Sequence, residues 1–114
     1  MTRFIPYAID VAAVLVFVAI GRRSHEEAAS VAGLLATAAP FLIGAVASWA
    51  LLAVARPGGS LVPALSVWAV TVLVGVLLRR FAFGEGAPAS FVVVTALVLA
   101  LLMVGGRLLA DRLA

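Results

Sequence analysis

The sequence predicts an all-α integral membrane protein, a four-helix up-down-up-down bundle, on three observations. First, 66% of its 114 residues are hydrophobic and only 11% are charged, whereas soluble domains are typically about half apolar and about one quarter charged. Second, a soluble fold of this length cannot enclose so much apolar surface. Third, the charged residues divide the chain into four apolar runs, each about long enough to span a bilayer.

Each apolar run predicts one transmembrane helix. The runs are continuous rather than alternating, and in lipid only helices and closed barrels satisfy every backbone hydrogen bond internally. Three prolines stand near the starts of runs, where the missing N–H group costs least, namely Pro6, Pro63 and Pro88. We therefore expect one transmembrane domain over residues 1–114, with helices at about 4–21, 25–55, 62–79 and 88–108.

The connections between these helices determine the expected topology. Each has about ten residues or fewer, so consecutive helices should be antiparallel neighbours and both termini should lie on one side. At the start of the second helix, Ser24 and Glu27 match the capping-box pattern S-x-x-E. Ser24 is expected to cap this helix, and Glu26 and Glu27 are expected to interact favourably with its N-terminal dipole.

The composition argues against several classes of site. The chain has no cysteine and one histidine, so neither a disulfide framework nor a Cys or His metal cluster is expected, and no cofactor is predicted. The net charge is +3, but the arginines stand at the ends of apolar runs, as in membrane proteins. Nucleic-acid binding is therefore not expected. No metalloprotease, nucleophile-elbow, P-loop or dinucleotide-binding motif is present, so the chain is not expected to be an enzyme.

The arginines give a weak signal for orientation, because four are expected on each side of the membrane. Those on the side of the termini are Arg3, Arg56, Arg107 and Arg112, and those opposite are Arg22, Arg23, Arg79 and Arg80. The terminal amine and the basic C-terminal segment favour cytoplasmic termini in a bacterial inner (plasma) membrane, and insertion in both directions is the alternative. The first run is expected to be retained, because no small-x-small cleavage site follows it.

Asp10 is the sharpest candidate for a functional residue. A carboxylate at the centre of a membrane span costs about 2.5–3.5 kcal/mol on insertion scales, and such residues usually face the bundle interior and a partner. Arg107 is expected at the same end of the bundle and at a similar depth. The sequence therefore predicts an Asp10–Arg107 ion pair. A proton or cation site at Asp10, and a side chain that simply reaches interfacial water, are the alternatives.

A cluster of basic residues is expected at the opposite end of the bundle, formed by Arg22, Arg23, His25 and Arg79 together with Arg80. The favoured interpretation is that these arginines anchor the helices at the lipid headgroups. The alternative is a specific ligand, an anionic lipid or a small anion, because guanidinium groups bind phosphates and anionic headgroups through paired hydrogen bonds.

A stripe of small residues predicts the packing face of the second helix. Ala36, Pro40, Gly44 and Ser48 follow one another at a spacing of four, which places them roughly on one side of a helix. Small residues allow close contact between helices in membranes. Gly75 is expected to play the same part in the third helix. The aromatic residues near the run ends are expected to form interfacial belts, namely Tyr7, Trp49, Trp68, Phe81, Phe83 and Phe91.

Several motifs are similar to a known family: Asp10…Phe17…Gly21-Arg22-Arg23-Ser24-His25, Pro40-Phe41-Leu42-Ile43-Gly44 with Trp49, Trp68…Gly75…Arg79, and Gly106-Arg107. Together they resemble a family of small bacterial membrane proteins catalogued as domain of unknown function 3054. The resemblance covers nearly the whole chain, and Gly-Arg-Arg-Ser-His is its most specific part. Where the family often has an aromatic residue before the last arginine, this chain has Gly106. The resemblance implies a four-helix membrane protein without an established activity.

These observations lead to one expected function and two alternatives. The expected function is that of a small, non-enzymatic integral membrane protein, in contact with the lipid bilayer and working as a homo-oligomer. The first alternative is a proton-coupled transporter or channel for an anionic solute, using Asp10 and the cluster of Arg22, Arg23 and Arg79. The second is a partner subunit or assembly factor of a larger membrane complex.

Overall fold

The computed structural model describes residues 2–24 and 30–113, with only the backbone described at residues 2, 23 and 24. This part of the chain forms a 3₁₀ turn, Thr2–Phe4, followed by four long helices and no strand. The helices are α1 (Ile5–Ser24), α2 (Val31–Ala55), α3 (Leu61–Ala82) and α4 (Ala89–Leu113). All four are long and apolar enough to cross a membrane, which confirms the predicted all-α fold class.

Each helix packs against two others to form the bundle. Helices α2 and α3 make the most extensive contact, and α1 and α4 close the bundle against them and against each other. Consecutive helices run in opposite directions. We call the end that holds the beginning of α1 and the end of α4 the Asp10 end. We call the opposite end, where α1 finishes and α4 begins, the Arg22 end.

The interior is filled by apolar side chains from all four helices. The largest fully buried ones are Val14, Phe41, Val67, Leu99 and Met103. The outer surface is also apolar, since large Leu, Val and Ile side chains on every helix face outward, and Leu101 is 73% exposed. In water, so large an exposed apolar surface would drive association. Lipid is the solvent that matches this surface.

The beginning of α2 differs from the predicted one. Ser24 is the last residue of α1, and Ser30 caps α2 by accepting a hydrogen bond of 3.0 Å from the backbone N–H of Gly33. The prediction that Ser24 caps the second helix is therefore wrong. The physical reason is that the backbone of Ser24 continues α1, whereas Ser30 directly precedes the apolar run of α2. His25, Glu26 and Glu27 lie outside the described residues.

Close contact between α2 and α3 depends on Gly44 and Gly75. A Cβ atom at Gly44 would lie 2.8 Å from the carbonyl oxygen of Thr71, and one at Gly75 would overlap the ring of Phe41. Such distances leave no room for a side chain unless the helices move apart. Gly44 and Gly75 are both buried, so they occupy the packing positions that the sequence predicts for them.

The small-residue stripe of α2 is buried over only part of its length. Pro40, Gly44 and Ser48 are buried, and the hydroxyl of Ser48 is satisfied within its helix by the carbonyl of Ala45, at 2.6 Å. Ala36 is exposed, so the prediction that it packs inward is wrong. A spacing of four drifts by about 40° around an α-helix at each step, and this drift carries Ala36 out of the interface.

Two π-helical turns occur, one at the end of α3, Leu78–Ala82, and one in the middle of α4, Ala100–Val104. A π turn contains one extra residue per hydrogen-bonded turn, which offsets the drift of a four-residue spacing. The inward stripes therefore continue to the arginines near them. In α3 the stripe includes Thr71, Gly75 and Arg79, and in α4 it includes Thr95, Leu99, Met103 and Arg107.

We expect Gly44→Ala to lower the free energy of unfolding by about 1–3 kcal/mol, because the added methyl group meets the backbone of α3 rather than a movable side chain. The measurement is thermal or denaturant unfolding of the purified protein in a mild detergent. Gly105→Ala is the matched control, since a Cβ atom there has no neighbour within 4 Å. Equal stability of the two variants would contradict the close α2–α3 contact.

Candidate functional site

The carboxylate of Asp10 is fully buried at the Asp10 end and is bound by Arg107. Arg107 Nε donates to Oδ1 at 2.9 Å, and Nη2 donates to Oδ2 at 2.6 Å. This two-point geometry is the strongest that a guanidinium and a carboxylate can adopt. The side chain of Arg107 is itself only 10% exposed. The predicted Asp10–Arg107 ion pair is therefore confirmed.

Trp49 completes the set of donors around Asp10. Its indole Nε1 donates to Asp10 Oδ2 at 2.7 Å, and the ring of Tyr7 packs edge-on against Trp49 with 5.1 Å between ring centroids. We call Asp10, Trp49 and Arg107 the Asp10 network. The sequence analysis assigned Trp49 only to an aromatic belt. The available signal was that Trp49 was expected at the same end as Asp10, and an indole N–H within a membrane needs an acceptor.

Gly106 allows α4 to approach α1 closely enough for this pairing. A Cβ atom at Gly106 would lie 2.8 Å from Cγ2 of Ile9. The neighbouring residues, Arg107 and Asp10, are thereby brought within hydrogen-bond distance. Both oxygens of Asp10 accept hydrogen bonds from charged or polar donors, so the network neutralises the buried charge from α2 and α4 together.

A cavity of about 510 Å³ lies at the Arg22 end, between the four helices. Its walls are mostly apolar, with two guanidinium groups among them. We call it the Arg22–Arg79 cavity. Its lining residues are Phe17, Val18, Gly21, Arg22, Thr37, Phe41, Arg79, Gly86, Pro88, Ser90, Phe91 and Val94.

Arg22 enters the cavity from the end of α1. One terminal nitrogen, Nη1, donates to the hydroxyl of Thr37 on α2 at 2.9 Å. Gly33, one turn earlier in α2, provides the space for this arrangement, because a Cβ atom there would lie 2.5 Å from Nη2 of Arg22. No prediction from the sequence included Thr37 or Gly33.

Arg79 enters the same cavity from the π turn of α3. Its Nε donates to the carbonyl of Gly86 at 2.7 Å, and its Cζ lies 4.5 Å from the centre of the Phe91 ring. The contact with an aromatic face is a favourable cation–π arrangement. In the described part of the chain, its Nη1 and Nη2 make no hydrogen bond. Arg79 is thus held in place through one nitrogen, with its two terminal nitrogens available to a ligand.

The structure divides the predicted basic cluster. Arg22 and Arg79 both line the cavity, whereas Arg80 is exposed and lies over the outward-facing ring of Phe81, at 5.4 Å. The side chain of Arg23 and the whole of His25 lie outside the described residues. The described residues hold no group of three or more His, Cys, Asp or Glu side chains that could bind a metal.

Three phenyl rings line the cavity and contact one another. Phe17 and Phe41 meet edge-to-face with 5.8 Å between ring centroids, and Phe91 lies 6.3 Å from Phe17 and 6.2 Å from Phe41. The sequence places Phe91 in a predicted interfacial belt and Phe17 in a family motif, and it does not predict that the three rings meet. They come from α1, α2 and α4, and no local pattern relates them.

Comparison with known proteins gives one match. The model of the family described as Protein of unknown function (DUF3054) matches residues 7–110 of the chain. No curated protein and no solved structure matches. The matched region contains the Asp10 network and every residue that lines the Arg22–Arg79 cavity.

We expect Arg107→Leu to destabilise the protein by roughly 3–5 kcal/mol, because it leaves the Asp10 carboxylate buried without a cation. The double variant Asp10→Leu/Arg107→Leu should recover much of this loss, since it removes both charges. Unfolding in mild detergent measures both effects, and Arg112→Leu, an exposed arginine on the same helix, is the control. Additive losses in the double variant would show that the two side chains do not stabilise each other.

Proposed function

The chain belongs to the DUF3054 family of proteins of unknown function, and we propose that it is a multi-pass membrane protein that binds an oxyanion in the Arg22–Arg79 cavity. The ligand is a phosphate or carboxylate group, carried either by a lipid headgroup or by a free small molecule. The proposal assigns binding alone, with no chemical conversion of the ligand.

The observation that carries this proposal is that two guanidinium groups line one otherwise apolar cavity. None of the described residues in its lining is acidic. Within the described residues, the two terminal nitrogens of Arg79 make no hydrogen bond, so they can donate to a ligand in this space. Guanidinium groups supply the paired N–H donors that a phosphate or carboxylate accepts.

The contrast between Arg79 and Arg80 supports binding over simple anchoring. An arginine that anchors a helix at the headgroups lies on the outside, where it meets lipid phosphates and water. Arg80 fits that description, because it is exposed and stacks on an exposed phenylalanine. Arg79, its neighbour in sequence, is half-buried and lies over Phe91 inside the cavity. Arg80 is therefore placed to anchor the helix at the headgroups, and Arg79 is placed to bind a ligand in the cavity.

The packing between the two ends supports binding over conduction. Val14, Leu99 and Met103 are fully buried between the cavity and the Asp10 network. The hydroxyl groups of Ser48 and Thr95 are also buried in this core, and each donates to a carbonyl of its own helix rather than to a side chain of another helix. Asp10 is also engaged by three hydrogen bonds. We infer that Asp10 stabilises the bundle and does not carry protons for transport.

We expect oxyanions to stabilise the purified protein against unfolding in nanodiscs of phosphatidylcholine, a zwitterionic lipid. The probes are inorganic phosphate, phenyl phosphate and added phosphatidylglycerol. A ligand at about one hundred times its Kd stabilises by about 2.7 kcal/mol, which raises the Tm by about 10 °C in a protein of this size. Arg22→Gln and Arg79→Gln should each remove most of the shift.

Arg80→Gln is the matched control for these variants, because it removes the neighbouring positive charge without touching the cavity. It should retain the full shift. The proposal is wrong if none of the three probes raises the Tm, or if Arg80→Gln loses the shift as fully as Arg79→Gln does.

We further propose that both termini are cytoplasmic in the inner membrane, so that the Arg22 end faces outward. The chain has no cysteine, which allows single cysteines to report orientation. A membrane-impermeant maleimide should label Glu85→Cys in intact cells and should label Ser60→Cys only after lysis. The reverse pattern would place the Arg22 end in the cytoplasm, and partial labelling of both would indicate insertion in both directions.

A further inference from the structure

We propose that the ligand of the Arg22–Arg79 cavity is a small organic oxyanion with an aromatic ring, such as an aryl phosphate or aryl carboxylate. This inference rests on the proposed function. It specifies the apolar part of the ligand, which we call its body, in addition to the charged oxyanion, which we call its head. It follows from the order of the chemical groups along the cavity, from the packing of the three phenyl rings, and from the cavity volume.

The groups that line the cavity change in character from its mouth to its base. Gly86, Pro88 and Ser90 are exposed and form the mouth. Arg22 and Arg79 are half-buried and come next. Phe91 is half-buried and Phe17 is 7% exposed, so these two rings form the accessible base of the cavity, and Phe41, which is 0% exposed, packs against both. A ligand that satisfies all three layers places its charged group near the mouth and an apolar body toward the interior.

The base favours an aromatic body over a flexible chain. Phe17, Phe41 and Phe91 contact one another in edge-to-face and tilted arrangements, and a ligand ring can pack edge-on or tilted against the accessible parts of Phe17 and Phe91. A ring also loses little conformational freedom on binding, whereas an alkyl chain loses a rotatable bond at each carbon. A flat, rigid body is therefore the better match for this base.

The volume favours a molecule with one or two rings. Sites for small organic ligands typically enclose roughly 300–1,000 Å³, and this cavity has about 510 Å³. A lipid with two acyl chains would leave most of its hydrocarbon outside such a space. A free aryl anion and a lipid headgroup both carry an oxyanion. The experiment therefore has to distinguish them by the apolar part of the molecule, an aromatic ring in one and acyl chains in the other.

The test compares the Kd values of phenyl phosphate and inorganic phosphate by isothermal titration calorimetry in phosphatidylcholine nanodiscs. We expect phenyl phosphate to bind at least about tenfold more tightly, because the ring transfers apolar area from water to the cavity base. Added phosphatidylglycerol should weaken this binding less than about twofold, since a two-chain lipid does not fill the same space.

Two variants separate the ring from the head. Phe17→Leu should weaken phenyl phosphate binding by about tenfold and leave inorganic phosphate within about twofold, because Phe17 contacts Phe41 and Phe91 but is not the ring beneath Arg79. Phe81→Leu is the control, since Phe81 is exposed at the same end and does not line the cavity.

The second variant remains informative if Phe17→Leu does not fold. Val94→Trp adds a large side chain at a position that lines the cavity, while its neighbour Val93 is similarly exposed and does not line it. Val94→Trp should reduce phenyl phosphate binding, and Val93→Trp should leave it unchanged. Both positions face outward enough for either substitution to leave the core intact.

The outcomes distinguish this inference from the proposed function. If phenyl phosphate and inorganic phosphate bind equally and both require Arg79, the cavity binds an oxyanion without recognising a ring, and only this inference is overturned. If phosphatidylglycerol displaces phenyl phosphate completely, the ligand is a lipid headgroup and the inference is again overturned. If no probe binds in an Arg79-dependent manner, both proposals are overturned.

Discussion

A buried carboxylate constrains the rest of this bundle. Asp10 has no access to solvent, so its charge is tolerable only where donors surround it. Arg107 supplies two and Trp49 supplies one, which joins α1 to α4 and α2 at one end of the molecule. Closure of the bundle at that end thus depends on one ion pair, and Gly106 is small because the helices must come close for the pair to form.

The Arg22 end also places an arginine on an inward-facing stripe, but there the arginine has no carboxylate partner among the described residues. Arg79 occupies the continuation of the buried stripe of α3, as Arg107 does in α4, and each lies within or just after a π turn. Arg107 meets a carboxylate that the chain supplies. Arg79 meets only a carbonyl and an aromatic face within the described residues. The same placement of a cation therefore produces a stabilising pair at the Asp10 end and a candidate binding site at the Arg22 end.

The apolar core between the two ends separates their roles. Gly44 and Gly75 bring α2 and α3 into close contact, and Phe41, fully buried beside Gly75, also lines the cavity. Substitutions in this contact would affect both packing and the cavity. Substitution of Ser90, which is exposed at the edge of the cavity, would disturb this packing less.

Composition and the spacing of charges determine by themselves that the chain forms four apolar helices, that neighbours are antiparallel, and that Asp10 and Arg107 share one end. The sequence also shows residues at a spacing of four that end at Arg79 in α3 and at Arg107 in α4. Tertiary structure decides the rest: that Ala36 faces outward, that Trp49 binds Asp10, and that Phe17, Phe41 and Phe91 meet. The physical reason is that hydrophobicity and helix length act along the chain, whereas the rotation of each helix about its axis depends on contacts between residues far apart in sequence.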